Sequence, residues 1–285
     1  MKVSLLGTGL MGFPLARRIL KAGHPLTVYN RTQAKARPLV KMGATLAASP
    51  REALRCADLV VLMLSDAAVI RKLLLGAPVR ELLRGRSFIQ MGTIGPDESK
   101  AVAAQIKKQG GDYMECPVLG SIAEIRNGKL ILMFGGSETR FRHHREFLKC
   151  LGRPPIRVGP IGAAATLKLA LNQLIASHIV GFSQSLALIQ KSGVEVSLFM
   201  AILKQSALYA PMFEKKLPRL LKRDYGNPNF STRNMLKDVR LFLAAAQAKG
   251  INAPVLAAAR NLLASTLRAG LTDVDYSAVY EVVRG

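Results

Sequence analysis

The opening stretch KVSLLGTGLMG constrains the fold more than any other part of the chain. A short apolar run typical of a strand leads directly into Gly7, Gly9 and Gly12, and a helical pattern follows. Between a strand and a helix, G-x-G-x-x-G spacing permits a tight turn, a close backbone approach to a pyrophosphate, and close packing of helix on strand. Exposed amides at the helix start then face the phosphate charge. The stretch predicts a dinucleotide-binding turn that includes Leu10 and Met11.

The rest of the first half alternates strand-like and helix-like segments. The strand candidates are KVSLLG, LTVYN, DLVVLML, SFIQMG, DYMECPV and LILMFGG, and the helix candidates are residues 10–22, 66–75, 97–109 and 138–149. Such alternation is typical of a mostly parallel sheet covered by helices on both faces, in which buried strands are continuous apolar runs. We therefore expect an α/β, Rossmann-like N-terminal domain.

The pattern changes after IRVG at residues 156–159. One long helical pattern runs from Gly162 to about Lys191 without a proline, and no convincing strand follows it. Further helical stretches lie near residues 195–206, 211–223, 230–249 and 254–269. We expect a dinucleotide-binding domain over residues 1–160 and an all-α domain over residues 161–285, joined by the long helix.

Composition is typical of a globular protein in a reducing compartment. The chain has 285 residues, of which 49% are hydrophobic and 21% charged, enough for one large or two ordinary domains. Glycines interrupt the apolar N-terminus, which argues against a secretory signal, and no apolar run reaches the length of a membrane span. Three cysteines that are distant in sequence argue against a disulfide framework and a thiolate metal site. We expect a cytoplasmic protein without a metal.

The formal net charge of +23 is the one unusual bulk quantity. A field of this sign attracts polyanions, so nucleic acid must be considered as a partner. The charge is spread along the chain, however, and we interpret its densest cluster, KKLPRLLKR at residues 215–223, as a solvated helical face. We also interpret the adjacent His143 and His144 as solvated surface residues. Nucleic acid is therefore not the partner that we expect.

The residues after the second strand bear on the choice of nucleotide. An NAD-selective fold typically has an acid there that binds the ribose 2′-hydroxyl. Here LTVYN ends in Asn30, Arg31 and Thr32. A guanidinium pairs with a 2′-phosphate, which an acid would repel. The sequence therefore predicts NADP(H) rather than NAD(H).

Taken together, the chain resembles the β-hydroxyacid dehydrogenase family, which includes 3-hydroxyisobutyrate dehydrogenases, tartronate semialdehyde reductases and glyoxylate/succinic semialdehyde reductases. The resemblance covers essentially the whole chain. It rests on GTGLMGFPLARRILKAGHPLTVYNRT, MGTIGP at residues 91–96, ECPVLGS at 115–121, GAAATLKLALNQ at 162–173 and NFSTRNMLKD at 229–238. It implies a long interdomain helix and a helical domain through which the chain forms a homodimer or homotetramer.

The resemblance also implies the catalytic group. The family's catalytic lysine corresponds to Lys168, and the asparagine that helps to hold the substrate corresponds to Asn172, one helical turn later. Hydride transfer to a carbonyl builds negative charge on its oxygen, which an ammonium stabilises and protonates as a general acid. Considered alone, a lysine on an apolar helix is more often a surface residue whose stem covers its neighbours.

Five further positions correspond to family site residues. Thr93 matches a hydroxyl residue near both nicotinamide and substrate, and Met63 and Leu64 match the loop over which the cofactor lies. Lys237 matches a lysine that reaches the cofactor region, and Phe230 matches an aromatic wall of the substrate pocket. Lys237 could equally be an ordinary exposed lysine, and Phe230 could equally be an ordinary core phenylalanine.

Two departures from the family pattern concern the substrate. The family's substrate loop usually reads D-x-P-V-S-G-G, whereas this chain has Leu119 in place of the serine. Since leucine cannot donate a hydrogen bond, we expect recognition of a carboxylate through backbone amides around Gly120 and Ser121. Ala164 also replaces a glycine that usually precedes the lysine, and its methyl group narrows the approach to the site.

The leading hypothesis is an NADP-dependent reductase of a small aldehyde acid, such as glyoxylate or succinic semialdehyde. One alternative is an imine reductase, or a reductase of a less polar carbonyl, in the same fold. Leu119 favours this alternative and Lys168 argues against it. A second alternative is a non-catalytic module that uses a dehydrogenase fold to bind nucleic acid or protein, as the net charge suggests. The sequence leaves open the physiological substrate, the direction of flux and the choice between dimer and tetramer.

Overall fold

The computed structural model describes the backbone of residues 1–285, and the side chains of all of them except residues 77 and 78. The chain divides into two compact units, Met1–Lys168 and Leu169–Gly285. The division falls inside one continuous helix, a short way beyond the join at residues 160 and 161 that the sequence predicts. Each unit has buried hydrophobic clusters of its own.

The first unit is built on a nine-stranded sheet. Its strands are β1 (Val3–Leu6), β2 (Leu26–Tyr29), β3 (Thr45–Leu46), β4 (Leu59–Leu62), β5 (Ser87–Gln90), β6 (Asp112–Glu115), β7 (Val118–Leu119), β8 (Ile131–Gly135) and β9 (Ile156–Gly159). Their order in the sheet is β3-β2-β1-β4-β5-β6-β8-β7, and β9 pairs with β8. The strands from β3 to β6 in this order are parallel, whereas β8 is antiparallel to β6 and β7. The prediction of a mostly parallel sheet is confirmed.

Both faces of this sheet are buried, because its central strands are apolar at consecutive positions. In β4, Leu59 and Val61 belong to one hydrophobic cluster, and Val60 and Leu62 belong to another. Successive side chains of a strand point to opposite faces, so the two clusters lie on the two sides of the sheet. The covering helices are α1 (Gly12–Lys21), α2 (Arg37–Val40), α3 (Pro50–Arg55), α4 (Ala67–Leu74), α5 (Ala77–Arg80), α6 (Pro96–Lys108), α7 (Ile122–Arg126) and α8 (Glu138–Lys149).

The strand predicted from DYMECPV is wrong in extent, since the structure divides it into β6 and the two-residue β7. Pro117 lies between them and has no amide hydrogen for a strand ladder, although its carbonyl accepts a bond from the Met133 amide at 3.1 Å. The short strand β3 and the largely exposed β9 were not predicted, because each lacks a buried apolar run.

The second unit is helical, as predicted. Helix α9 (Ala163–Lys191) crosses the division between the units. The other helices are α10 (Val196–Gln205), α11 (Pro211–Lys222), α12 (Thr232–Gln247), α13 (Pro254–Arg268) and α14 (Val279–Arg284). Helix α14 was not predicted. An isolated bridge between Ser231 and Asp275 ties the start of α12 to the segment before α14.

Helix α9 has 29 residues and a mean hydropathy of 1.2 over its most apolar window, so by length and composition it could cross a membrane. The expectation that no segment reaches that length is wrong in this respect. Of that window, 39% is buried inside the protein, and a helix from the core of a soluble protein passes the same test.

Candidate active site

Parallel strands bring the predicted site residues of the first unit to one edge of its sheet. The chain passes from β1 to β2 on one side and returns to β4 on the other side of β1, so the strand order reverses at β1. Ligands of open α/β sheets bind in the crevice outside the carboxyl ends of the strands at such a reversal. The predicted cofactor residues of this unit follow β1, β2, β4 and β5, and the substrate loop follows β6, so these residues lie at that edge. Lys237, the remaining predicted cofactor residue, lies on α12 in the second unit.

The three glycines after β1 have different physical roles. Gly7 has a φ of +100°, and a Cβ atom on it would lie 2.2 Å from the carbonyl oxygen of Met63. A Cβ atom on Gly12 would lie 1.9 Å from the carbonyl oxygen of Gly7. On Gly9, by contrast, a Cβ atom would have no described neighbour within 4 Å. Packing therefore requires glycine at positions 7 and 12, and the backbone of Gly9 faces open space that fits an approaching diphosphate.

A cavity of about 360 Å³ lies beside this turn. Its lining combines the turn itself with apolar side chains and three cationic ones: Thr8, Gly9, Leu10, Phe13, Pro14, Arg17, Lys35, Ile122 and Arg126. The arginines and the lysine are exposed, so their charge is available to an anionic ligand. The cavity therefore suits the phosphates of a dinucleotide. Sequence reasoning missed these cations because they come from three separate elements.

Asn30 holds the glycine turn against the end of β2. Its Oδ1 accepts a hydrogen bond from the Thr8 amide at 3.0 Å, and its Nδ2 donates to the Thr32 carbonyl at 2.9 Å. Arg31 and Thr32 are exposed beside it. The structure thus assigns Asn30 a supporting role in shaping the turn and leaves the side chain of Arg31 accessible to a ligand.

The loops after β4 and β5 pack closely on the glycine turn and on each other. Met63 donates its amide to the Leu6 carbonyl at 2.9 Å. A Cβ atom on Gly92 would lie 2.3 Å from the Leu64 carbonyl oxygen, so this approach requires glycine. Thr93 is half-buried in the same loop. The contact with the cofactor that is predicted for the backbone of residues 63 and 64 stays a prediction.

The substrate loop contains a helix cap. Gly120 has a φ of +136°, which favours glycine. Ser121 caps α7, and both its amide and its hydroxyl donate to Oε2 of Glu124, at 2.7 and 2.5 Å. Leu119 is half-buried in β7. The Ser121 hydroxyl is thus already engaged, and the proposed reliance on backbone donors in this loop stays a prediction.

Lys168 lies in the second turn of α9 and is buried, with 8% of its surface exposed. The start of that helix is bonded to Glu115 at the end of β6, so the lysine belongs to a segment fixed at the carboxyl edge of the sheet. Ala164 is fully buried, and its amide is one of the donors to Glu115. A buried lysine is not the snorkelling surface residue that the isolated helix pattern suggests.

In the second unit, Asn172 is held by a carboxylate that sequence reasoning missed. Its Nδ2 donates to Oδ2 of Asp238 at 2.6 Å, and Oδ1 of Asp238 lies 2.8 Å from Nζ of Lys237. Asn172 and Asp238 are 4% and 3% exposed. The Asn172 oxygen has no hydrogen-bond partner among the described residues, so it is available as an acceptor. Asp238 is the last residue of the family motif NFSTRNMLKD, directly after Lys237, so the motif itself pointed to this carboxylate.

Phe230 is half-buried and packs edge-on against Tyr276, with ring centroids 5.7 Å apart. It therefore contributes to the core of the second unit, and its role as a wall of a substrate pocket stays a prediction.

Two interpretations of surface residues are wrong. His144 is buried on the inner face of α8 together with Phe147 and Leu148. Lys216, in the basic cluster, has a side chain only 12% exposed and forms an ion pair with the fully buried Asp275 at 2.7 Å. His143 is exposed, as expected.

Two family models together match nearly the whole chain. The NAD-binding domain of 6-phosphogluconate dehydrogenase matches residues 2–162, and the NAD-binding domain of NADP-dependent 3-hydroxyisobutyrate dehydrogenase matches residues 162–283. Glyoxylate/succinic semialdehyde reductase 1 of Arabidopsis thaliana is 33% identical over 100% of this chain and 99% of its own. The chain belongs to the β-hydroxyacid dehydrogenase family. It is therefore an oxidoreductase with a binding domain for a nicotinamide dinucleotide.

Other members and related folds agree with this assignment. A 3-hydroxyisobutyrate dehydrogenase from Salmonella typhimurium superposes with a TM-score of 0.89 at 26% identity, over 99% of both chains. An imine reductase from Myxococcus stipitatus in complex with NADP+ superposes with a TM-score of 0.70 at 25% identity, over 99% of this chain and 100% of its own. The human protein named cytokine-like nuclear factor N-PAC is 28% identical over 98% of this chain, which spans 51% of that protein. The fold of this β-hydroxyacid dehydrogenase is thus shared by proteins of different names.

Proposed function

We propose that this β-hydroxyacid dehydrogenase is an NADP(H)-dependent reductase of a small aldehyde acid, such as glyoxylate or succinic semialdehyde, with Lys168 as the general acid. The observation that carries the proposal is a buried amine at the start of α9, one helical turn before a buried asparagine whose amide oxygen lacks a partner among the described residues. Two relatives named glyoxylate/succinic semialdehyde reductase, 32% and 33% identical, support the substrate class.

The chemistry assigned to the protein is proton transfer and orientation. The nicotinamide, when bound, supplies the hydride that is added to the carbonyl carbon. The Lys168 ammonium stabilises the charge that develops on the carbonyl oxygen and gives that oxygen a proton, so the product is an alcohol and the lysine becomes a neutral amine. Asn172 orients the reactants: Nδ2 has a second hydrogen, beside the one donated to Asp238, for an oxygen of the aldehyde acid, and Oδ1 accepts a hydrogen bond from the hydroxyl of the alcohol product. In the opposite direction of flux the same amine is the general base.

The preference for NADP(H) rests on charge. Arg31 is exposed after β2, where no acid stands to repel a 2′-phosphate. Replacing Arg31 by Asp should raise the KM for NADPH by about 10- to 100-fold, the loss expected for one charge-assisted contact to a phosphate, while the KM for NADH changes little. Arg55→Asp, on an exposed position of α3, is the control. An unchanged KM for NADPH in the Arg31 variant would contradict the preference.

Lys168→Ala is the decisive variant for the mechanism. Loss of a general acid should lower kcat by about 10²- to 10⁴-fold. The variant and the wild type should be assayed with NADPH and a panel of glyoxylate, succinic semialdehyde and cyclic imines, with NADPH binding measured separately. Retained activity on aldehyde acids would overturn the role of Lys168. Activity confined to imines would favour the imine reductase alternative, which the half-buried Leu119 supports through its lack of a donor.

The non-catalytic alternative is suggested by the net charge of +23. DNA affinity that falls steeply with salt, together with no NADPH binding, would establish it.

We also propose that the protein is a cytoplasmic homo-oligomer assembled through the second unit. Large apolar side chains are exposed there: Leu188 is 67% exposed on α9, and Leu198 and Ile202 are 56% and 62% exposed on α10. Exposed apolar groups of this kind mark interaction surfaces. The double variant Leu188→Glu with Ile202→Glu should be monomeric by light scattering, whereas wild type at the same concentration should be a dimer or tetramer. A monomeric wild type would contradict the proposal.

A further inference from the structure

Helix α9 begins after a residue that has no side chain with which to cap it. Gly162 precedes the first helical residue and has a φ of +97°. The first turn of any helix leaves backbone N–H groups without partners inside the helix. Here one carboxylate oxygen, Oε1 of Glu115, accepts them from the amides of Gly162, Ala164 and Ala165, at 2.8, 2.9 and 3.1 Å. The cap of α9 is therefore supplied by the end of β6.

The second oxygen of Glu115 is held as well. Its Oε2 accepts a hydrogen bond from the Ser99 hydroxyl, which lies 3.0 Å from the hydroxyl of Tyr113. Ser99 has one hydroxyl hydrogen and donates it to Glu115, so the Tyr113 hydroxyl is the donor in its bond with Ser99. The bonds therefore run in one direction, from Tyr113 through Ser99 to Glu115. All three side chains are buried.

The neighbouring strand provides the space for this carboxylate. Gly135 on β8 is opposite Glu115 in the antiparallel register. A Cβ atom on Gly135 would lie 2.5 Å from Oε1 and 3.0 Å from Cδ of Glu115. Any larger residue would displace the carboxylate from the helix. Glycine at this position therefore lets the glutamate reach the start of α9.

We propose that Glu115 is a positioning residue, whose buried carboxylate fixes the start of α9 on the carboxyl edge of the sheet and thereby places the amine of Lys168. This inference rests on the proposed function of Lys168. Ala165, the last donor to Glu115, precedes Lys168 by less than one helical turn, so a shift of the capped turn moves the lysine with it. Glu115 itself takes no part in proton transfer.

Two substitutions separate the reach of this side chain from its charge. Glu115→Asp keeps the charge but shortens the side chain by one carbon–carbon bond, so the oxygen no longer reaches all three amides. Glu115→Gln keeps the length and an acceptor oxygen but removes the charge, and its amide nitrogen can donate to Ser99. Positioning therefore predicts that the aspartate variant is the more damaged of the two.

The expected result is kinetic. A catalytic group displaced by about 1 Å loses up to about 100-fold in rate, so Glu115→Asp should lower kcat by about 10- to 100-fold. The Kd for NADPH, measured by fluorescence, should stay within about threefold, because Glu115 is not among the residues that line the cavity at the glycine turn. Glu115→Gln should lower kcat by less than about fivefold. Gly135→Ala, which displaces an intact Glu115, should match the aspartate variant.

Ser137→Ala is the matched control, because it removes the cap of another helix of the same unit, where the Ser137 hydroxyl accepts from the Arg140 amide at 3.3 Å. It should lower the melting temperature and leave kcat unchanged. A folded Glu115→Asp enzyme with the kcat of the wild type would overturn the proposal. So would a glutamine variant more impaired than the aspartate variant, since charge rather than reach would then be decisive. Full activity in Lys168→Ala would instead overturn the proposed function, whichever result Glu115 gives.

Discussion

The two units hold their buried acidic side chains in different ways. In the first unit, Glu115 accepts hydrogen bonds from three backbone amides and a hydroxyl. In the second, Asp238 lies 2.8 Å from the ammonium of Lys237, and Asp275 lies 2.7 Å from that of Lys216. Neutral donors of the backbone satisfy a carboxylate in one fixed geometry, whereas removal of a lysine leaves a buried negative charge without a counter-ion. Neutral donors alone then remain, such as the Ser277 amide and hydroxyl on Asp275.

Two of these carboxylates, Glu115 and Asp238, bind groups at the start of α9 and on it, and they differ in whether geometry or charge determines their effect. Two of the amides that Glu115 binds belong to the first turn of α9 and the third to Gly162, directly before it. The side-chain amide that Asp238 binds belongs to Asn172 on the same helix. Damage to the first carboxylate should therefore appear as misplacement of the lysine, in kcat. Damage to the second should appear in the binding of substrate, and damage to Asp275 should appear in stability alone.

The largest effect is expected at the Lys216–Asp275 pair. Asp275 is fully buried, and Lys216 Nζ donates to both of its oxygens at 2.7 Å. Lys216→Met removes the charge and should lower the free energy of unfolding by about 3–5 kcal/mol, since the carboxylate would lose its cation. Urea denaturation measures this change. Lys222→Met, at an exposed position of the same helix, should change it by less than about 0.5 kcal/mol. If Lys216→Met lowered the free energy of unfolding by less than about 1 kcal/mol, the buried acids of the two units would not differ in their dependence on a cation.

His144 tests whether the first unit also holds buried titratable groups without a compensating charge. Burial, together with the charges of the nearby His143 and Arg140, lowers the pKa of this histidine to about 4. Neither ring nitrogen has a hydrogen-bond partner among the described residues. The unfolded chain, with an ordinary histidine pKa near 6.5, binds more protons between about pH 6.5 and 4, so stability is complete above pH 6.5 and falls as the pH decreases through this window.

Between pH 7 and 5 the wild type should therefore lose about 2 kcal/mol more unfolding free energy than His144→Phe. His143→Phe, at the exposed neighbouring position, should keep the dependence of the wild type. Equal slopes for wild type and His144→Phe would show that the buried ring is not the group responsible.

Variants of Asp238 test whether this carboxylate affects KM, whereas Glu115 affects kcat. Asp238→Ala frees the amide of Asn172, which then loses its orientation, so the KM for the aldehyde acid should rise by about 10- to 30-fold with a smaller change in kcat. Asp238→Asn, which keeps an acceptor, should raise it by less. Asp273→Ala removes the exposed partner of Arg233 and should leave both constants unchanged. If Asp238→Ala lowered kcat as Glu115→Asp does, the two carboxylates would not have the separate roles inferred here.

Local patterns predicted most of the fold and part of the site. The reason for Gly12 is local, because it packs against Gly7 in the same turn, and apolar runs such as LVVL identified the buried strands. Gly7 was predicted from the spacing of the motif, but the atom that its Cβ would meet belongs to Met63, on the loop after β4. The cap of α9 could not be predicted in this way, since its acceptor comes from 47 residues earlier in the chain. Sequence rules for helix capping consider the side chain of the residue before the helix, and Gly162 has none.

Long-range pairing also explains the error at Lys216, whose partner Asp275 is 59 residues away. The burial of His144, by contrast, is predictable from local spacing. His144, Phe147 and Leu148 have the spacing of a buried helical face, and that pattern was visible in the sequence.

The smallest predicted effect concerns Tyr113, the residue farthest from α9 in the hydrogen-bonded chain Tyr113–Ser99–Glu115. Tyr113→Phe removes the hydroxyl that lies 3.0 Å from Ser99, while the bond from Ser99 to Glu115 and the bonds to α9 remain. Loss of one neutral hydrogen bond should lower the free energy of unfolding by about 1 kcal/mol. Because the cap itself is intact, kcat should stay within about twofold of wild type, in contrast to Glu115→Asp. A tenfold loss of kcat in Tyr113→Phe, with NADPH binding unchanged, would extend the positioning role from the carboxylate to the whole chain of hydroxyl groups behind it.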